Sequence, residues 1–350
     1  MIVKHSSTAE KLEAVTRTVL ADLQDLLSPQ VSRHFLEELI TEAIAFVEDE
    51  PTGLDVKIMK ATVQELRAAF SIFAPYTNHQ KVTIFGSARV EPHDPLYEQT
   101  ERVARELASH GWMIVTGAGP GIMEAGMRGA GRSNSIGVSI KLPHENTANE
   151  IIAGDSKYVS MRYFFTRKLM LVKESQGFLC MPGGFGTLDE TFELLTLVQT
   201  GKSMPVPIVF LDVPGDQYWQ QVNAFIEDQL VSRQLVSHAD TSLFLVTSDV
   251  HEAVHEIRSF YTNYHSLRYV GKQLVVRLKY AITDSQLEVL NQSFAHLCVA
   301  GTINRCEPFA VEVRDQDHVQ LPRISFHFGK LAYGDLRQFI NLVNSFHSLT

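Results

Sequence analysis

The chain has 350 residues, 45% of them hydrophobic and 20% charged, enough for a large core and for more than one folding unit. A formal net charge of -9 argues against a non-specific nucleic-acid partner, which would call for a basic face. Three cysteines without a CxxC pair exclude a disulfide framework or zinc ribbon, and no stretch reaches the roughly 20 apolar residues of a membrane span. The N-terminus lacks the apolar run of a signal peptide, so the expectation is a cytoplasmic protein with no membrane partner.

Residues 1–79 carry helical periodicity. Leu12, Val15, Val19 and Leu23 fall at helical spacing, as do Leu36, Ile40, Ile44 and Val47. Pro51-Thr52-Gly53 breaks the pattern, and a further helix is predicted through Ile58 to Phe73, ending before Pro75.

Residues 80–264 alternate strands and helices. Strands are predicted at 81–85, 112–116, 135–140, 177–181 and 206–211, with a further one at 243–247. Helices are predicted at 97–110, 121–131, 162–174 and 187–200. The alternation implies an α/β fold of modified Rossmann type, a parallel sheet covered by helices on both faces. Residues 267–350 read strand (273–278), helix (285–297), strand (309–314), strand (323–328), helix (336–345), a small α+β unit.

In an open parallel sheet, ligands bind beyond the carboxyl ends of the strands. Three segments lie there: Gly86-Ser87-Ala88-Arg89, Gly117-Ala118-Gly119-Pro120-Gly121 and Gly183-Gly184-Phe185-Gly186-Thr187. The latter two each open a helix. Glycines allow close backbone approach, and free N–H groups at a helix start attract an anion. Two such loops on one sheet edge point to the phosphate of a nucleotide. The spacing is not GxGxxG, since Ile122 takes the third glycine position, and the third strand ends in Lys141 without the acid that holds an NAD ribose. NAD is disfavoured, an NADP-dependent enzyme is a weaker alternative, and no GxxxxGK[ST] supports a P-loop enzyme. Arg167-Lys168 precedes the second loop, and Glu190 lies one turn after Thr187 on the helix that loop opens.

Pro182-Gly183-Gly184-Phe185-Gly186-Thr187-Leu188-Asp189-Glu190 reads PGGxGTxxE, and with Arg167-Lys168 upstream it resembles the lonely-guy (LOG) family, often labelled "possible lysine decarboxylase". Phe85–Arg89, Gly119–Ala125 and the Leu142-Pro143-His144-Glu145 loop ending at Asn149 add to the likeness, which covers about residues 80–260. The resemblance implies hydrolysis of the N-glycosidic bond of a nucleoside 5′-monophosphate, AMP-like or of cytokinin type, to free base and ribose 5-phosphate. It also implies a homodimer or higher homo-oligomer, with no cofactor and no metal. Carried over by position, Arg167 and Glu190 are the catalytic pair. Gly183, Gly184, Gly186 and Thr187 hold the phosphate with Gly119, Gly121, Ser87 and Lys168, and Glu124 lies near the ribose. Phe164 stands where the family often has methionine, and Glu150 where proline is common. The 1–79 and 267–350 segments lie outside the minimal family domain, and the latter is a candidate effector site.

Other readings stay open. A nucleotide-sensing protein that does not hydrolyse would use the same loops. Lysine decarboxylation would need pyridoxal phosphate on a lysine, and no lysine here has that context. His251-Glu252-Ala253-Val254-His255 matches the HExxH zinc pattern but lacks an evident third ligand. Cys180 reads as core filler, and Phe164-Phe165 as core rather than a base-stacking platform.

Overall fold

The computed structural model describes residues 14, 17–19, 21, 33–141, 148–329 and 332–348. Leu12, Val15 and Leu23 of the first periodic stretch, and the Leu142–Glu145 loop, lie outside the described residues. The chain divides into two compact units, Met1–Gln64 and Glu65–Thr350.

In the first unit, α1 (Arg33–Glu48) carries Leu36, Ile40 and Ile44 as a half-buried stripe, while Val47 is exposed. Helix α2 (Gly53–Phe73) begins in the first unit, and its residues from Glu65 on belong to the second; it opens on a reciprocal cap, the Thr52 N–H donating to the Asp55 carboxylate at 2.9 Å and the Asp55 N–H to the Thr52 hydroxyl at 3.3 Å.

The second unit contains two sheets. In chain order the first comprises β1 (Lys81–Phe85), α3 (Pro95–Ser109), β2 (Met113–Thr116), α4 (Ile122–Ala130), β3 (Ser135–Ile140), β4 (Tyr158–Met161), α5 (Phe164–Lys173), β5 (Gly177–Cys180), α6 (Phe185–Gln199), β6 (Ile208–Leu211), α7 (Tyr218–Phe225), β7 (Leu245–Thr247) and α8 (Val250–Ser259). All seven strands are parallel, in the order β4-β3-β2-β1-β5-β6-β7. The apolar strand runs are buried on both faces, as a helix-covered parallel sheet requires. Phe85, Met113, Val115, Phe178 and Phe210 face one side, where Ala69 and Phe73 at the end of α2, Met170 and Leu171 of α5, Leu194 of α6 and Trp219 of α7 cover them. Val82, Ile84, Ile114, Leu179 and Val209 face the other, under Val103 and Leu107 of α3, Ile122 of α4 and Ile257 of α8. This is the α/β architecture expected. Strand β4 was not foreseen, because its YVSM sequence gives only a four-residue signal at the sheet edge.

The chain builds β1 to β4 outward in one direction and then returns to place β5 on the opposite side of β1. The order reverses at β1, and the loops following β1, β2 and β5 converge at the carboxyl edge there.

The second sheet is antiparallel, order β10-β11-β9-β8, from β8 (Tyr264–Val270), β9 (Gln273–Leu278), β10 (Cys298–Arg305) and β11 (Arg323–Phe328). Helices α9 (Asp284–Phe294) and α11 (Tyr333–Ser345) close its core around Leu290, Phe326, Phe339 and Ile340. The 309–314 segment, expected as a strand, is instead helix α10 (Ala310–Arg314), with Glu312 turned inward and fully buried. The strand in this stretch is β10, whose CVAGTINR run is mostly exposed and interrupted by Gly301 in the left-handed region (φ +73°). It therefore shows no apolar alternation. No helix among the described residues is long and apolar enough to cross a membrane.

Candidate functional site

Three loops are tied together by backbone. The Ser87 N–H donates to the Pro182 carbonyl at 3.2 Å, and the Ser87 carbonyl accepts from the Ile122 N–H at 3.0 Å. Ser87 thus joins the start of α4 to the loop ahead of α6. Two glycines permit this closeness. A Cβ on Gly121, itself left-handed (φ +67°), would strike the Ser87 carbonyl, and one on Gly183 would strike the Thr187 hydroxyl.

The Gly117–Gly121 loop is held rigidly. Ala118 is fully buried yet left-handed (φ +58°), a conformation a non-glycine residue keeps only when its surroundings impose it. Here the Ala118 N–H bonds the Thr116 hydroxyl (3.0 Å), and its carbonyl accepts from the Asn149 N–H (2.9 Å). The Asn149 amide also donates to the Gly119 carbonyl at 3.0 Å.

Helix α6 begins at Phe185 with Gly184 as its cap residue and no side-chain cap, so its first N–H groups carry the helix's positive end uncompensated. A Cβ on Gly184 or Gly186 would meet nothing within 4 Å, so the space above the loop is open. Tyr218 steadies the loop from α7, its hydroxyl donating to the Gly183 carbonyl at 2.7 Å.

Arg167 and Glu190 meet under this loop. Their nearest atoms, Nη1 and Oε1, are 3.8 Å apart, and the two side chains are only 14% and 8% exposed. Arg167 Nε donates to the Val138 carbonyl at 3.1 Å, and the guanidinium fills the space where Gly117 has no Cβ. Glu190 Oε2 is buried without a hydrogen-bond partner. Burial pushes the Glu190 carboxyl up to about 7; Arg167 and Lys168 pull it back, while Glu193 and Asp189 add to the rise. Burial likewise lowers the Arg167 guanidinium from its ordinary value, against the opposing pull of Glu190. A carboxyl that titrates near neutrality, one oxygen unsatisfied, beside an arginine and an uncapped helix start, is suited to proton and charge chemistry on a bound anion.

Of the residues picked out in the sequence, Ser87, Gly119, Gly121, Gly183, Gly184, Gly186, Thr187, Arg167 and Glu190 lie on these converging loops or at the arginine–glutamate pair. Lys168 is engaged elsewhere: its ammonium sits 2.8 Å from Asp189 and 2.5 Å from Glu193, so a phosphate has to compete with two carboxylates for it. Glu124 accepts from the Tyr97 hydroxyl at 3.1 Å and from Arg128 at 2.7 Å, a pairing that serves the α3–α4 contact. Phe164 and Phe165 are 55% and 52% exposed, which corrects their reading as core; α5 buries Thr166, Met170 and Leu171 and turns the two rings outward. The Cys180 thiol is fully buried and pushed up to about 12 by that burial, as befits an unreactive core side chain. His251 is exposed and contacts Glu106 at 3.1 Å, and no group of three His, Cys, Asp or Glu side chains among the described residues can hold a metal. The Tyr218 and Asn149 contacts were not anticipated. Neither has a local signal, since each depends on a segment distant in sequence.

The family model described as "possible lysine decarboxylase" matches residues 119–257. Over that segment the chain is similar to the LOG family. The LOG relatives include the probable cytokinin riboside 5′-monophosphate phosphoribohydrolase LOGL3 of Oryza sativa subsp. japonica, 29% identical over 47% of this chain and 75% of its own. Another is the cytokinin riboside 5′-monophosphate phosphoribohydrolase LOG1 of Arabidopsis thaliana, 29% identical over 44% of this chain and 71% of its own. Among solved structures, the molybdenum cofactor binding protein from Rippkaea orientalis is 20% identical, over 52% of this chain and 96% of that one, with a TM-score of 0.35.

Proposed function

We propose that this edge of the LOG-like domain hydrolyses the N-glycosidic bond of a nucleoside 5′-monophosphate, releasing free base and ribose 5-phosphate. The observation that carries the reading is the buried, half-satisfied Glu190 carboxyl beside Arg167, at the foot of an uncapped helix whose glycine loop is open above. The 5′-phosphate docks at the N–H groups of Gly184, Phe185 and Gly186 and at the Thr187 hydroxyl, where the helix end favours an anion. That fixes C1′ of the ribose over the Arg167–Glu190 pair. As the C1′–N bond lengthens, its electrons leave with the base and positive charge gathers on C1′ and the ring oxygen. The Glu190 carboxylate stabilises that charge in a dry site, where it counts for more than in water. A water adds to C1′ and gives a proton to the Glu190 carboxylate, which passes it to the nitrogen of the departing base and so returns to the ionised form.

The Rice and Arabidopsis relatives are named for this activity on cytokinin ribotides, which supports the class of reaction. The reading extends to a homodimer or larger assembly, which light scattering of the purified chain tests. The decisive experiment incubates the protein with each nucleoside 5′-monophosphate and separates free base by chromatography. Release from at least one, absent with the corresponding nucleoside, is expected; no release from any overturns the reading. Because the carboxylate is the working form, the rate on a good substrate should rise with pH through about 7.

A further inference from the structure

Helix α5, which carries Arg167, has no cap of its own: Tyr163 occupies the cap position and offers no side-chain acceptor. The Tyr163 N–H at its start, and the Arg162 N–H just before, are met from outside the segment that matches the family. Glu65, on α2, accepts from the Arg162 N–H at 2.8 Å through one oxygen. Through the other it accepts from the Thr166 hydroxyl at 2.7 Å and the Tyr163 N–H at 3.4 Å. Thr166 is fully buried, and its one hydroxyl proton is shared between Glu65 and the Tyr163 carbonyl, 2.8 Å away. That same carbonyl accepts the Arg167 N–H at 3.3 Å, the first helical bond leading to the arginine.

Glu65 is itself fixed. One and two turns further along α2, Ala69 and Phe73 are fully buried in the core that contains Met170 and Leu171 of α5. Phe70 lies 5.4 Å from the Lys173 ammonium near the end of α5. The later turns of α2 are thus anchored along α5, and the carboxylate at their start is brought to the α5 N-terminus, where negative charge is favoured.

We propose that Glu65 is a positioning residue for the site, capping α5 from outside the family segment and thereby holding Arg167 against Glu190 and the Val138 carbonyl. The inference rests on the reading of Arg167 and Glu190 as the reacting pair. Its consequence is that α2 supplies a fixed point of the site from outside the matched segment. Loosening the α5 start moves the guanidinium away from a carboxyl that it otherwise helps to ionise. The groups facing Glu190 are Arg167 and Lys168 from α5, Asp189 and Glu193 from its own helix, and the Cys180 thiol from β5. Of these, the two cations are on the helix that Glu65 caps.

The test compares the full chain with Glu65→Ala and Glu65→Gln. The first readout is the titration of Glu190, followed by carboxyl-carbon NMR on protein labelled at glutamate and assigned by the resonance missing in Glu190→Gln. Glu65→Ala should raise its midpoint by roughly half a pH unit or more. Glu65→Gln keeps one carbonyl acceptor and should move it less, in the same direction. The second readout is base release, where Glu65→Ala should lower kcat by about ten- to a hundredfold through misplacement of the pair, with partial rescue in Glu65→Gln. A purely structural role would lower the melting temperature and leave the Glu190 midpoint unmoved; that result in folded Glu65→Ala overturns the proposal. Should Glu65→Ala fail to fold, Glu65→Gln and Thr166→Val carry the same measurement, and an unmoved midpoint in both overturns it equally. If wild type releases no base, the functional reading falls, while the NMR titration still decides whether Glu65 governs the Arg167–Glu190 pair.

Discussion

Two regions of the second unit bury arginine with glutamate, and they do so in opposite ways. Beneath the antiparallel sheet, Glu312 is fully buried with both oxygens hydrogen-bonded: Arg277 donates to one at 2.7 and 3.1 Å and the Phe309 N–H to the other at 3.0 Å, while Arg323 Nη1, 2.9 Å away, pairs with it by charge and not by a hydrogen bond. Asp317 completes the cluster, taking Arg277 and Arg268, each at 2.6 Å. Burial alone would push Glu312 up, but the Arg277 hydrogen bonds, the Phe309 N–H and the Arg323 charge outweigh it and hold the carboxyl low. At the parallel-sheet edge, Glu190 has one arginine at 3.8 Å and an oxygen with no partner, and it rises to about 7. The same residue types give a carboxylate with both oxygens bonded in one place and an unfinished one, with an oxygen left open, in the other. The unfinished joint is where a ligand has something to contribute.

The largest expected effect breaks the comparison at the unfinished end. Glu190→Gln and Arg167→Ala should each cut base release by about 10²–10⁴-fold while the protein still folds, as chromatography of product and circular dichroism will report. Wild-type turnover in either purified variant would sink the catalytic assignment. Next, Glu312→Ala leaves the buried Arg323 guanidinium without its carboxylate and Arg277 with Asp317 alone, and should cost about 3–5 kcal/mol in urea unfolding, with no direct change at the Arg167–Glu190 pair. An unfolding midpoint equal to wild type would mean that the joint is not structural.

The third prediction sharpens the contrast through pH. Glu190 holds its proton in the native state to about 7 against an ordinary value of 4.5, so between those values the native state binds more protons than the unfolded chain. Its contribution to stability therefore falls as pH rises through that window. Glu190→Gln should be nearly neutral near pH 4 and more stable than wild type by up to about 3 kcal/mol at pH 8, at roughly 1.4 kcal/mol per pH unit. Glu312, with its carboxyl held low, has the opposite slope, and its contribution is lost as pH falls below the ordinary glutamate range. Parallel slopes for the two sites in thermal melts across pH would contradict this account. The smallest effect is at the zinc-like motif: His251→Ala removes an exposed contact to Glu106 and should leave activity, and stability within about 0.5 kcal/mol, unchanged.

The parts of the site that were legible in the sequence are local ones. Gly183–Thr187 and Glu190 sit within one turn of each other, and strand-to-helix alternation placed both glycine loops on one edge. What was not legible depends on segments far apart. Glu65 reaches α5 across about a hundred residues, Tyr218 reaches Gly183 from α7, and Asn149 clamps Ala118 from beyond β3. Phe164 and Phe165 misled because apolarity says that a side chain prefers burial, not that a given helix face provides it. The 309–314 segment misled because Phe309-Ala310-Val311 has strand-like composition, while the buried Glu312 that makes it a helix is answered by arginines on β9 and β11.

The central place of β1 carries a further consequence, for the order in which the molecule forms. Val82 pairs with Ile114 on one side and with Gly177 on the other. The first pairing closes a short loop as soon as α3 has formed; the second waits for about ninety-five intervening residues. Long-range parallel pairings are slow steps in folding. The β1–β5 seam is also where Ser87 meets Pro182 and where the Gly183–Thr187 loop is fastened. Nucleotide capture should thus be among the last properties a refolding chain acquires, arriving with completion of the sheet and not with the appearance of its helices.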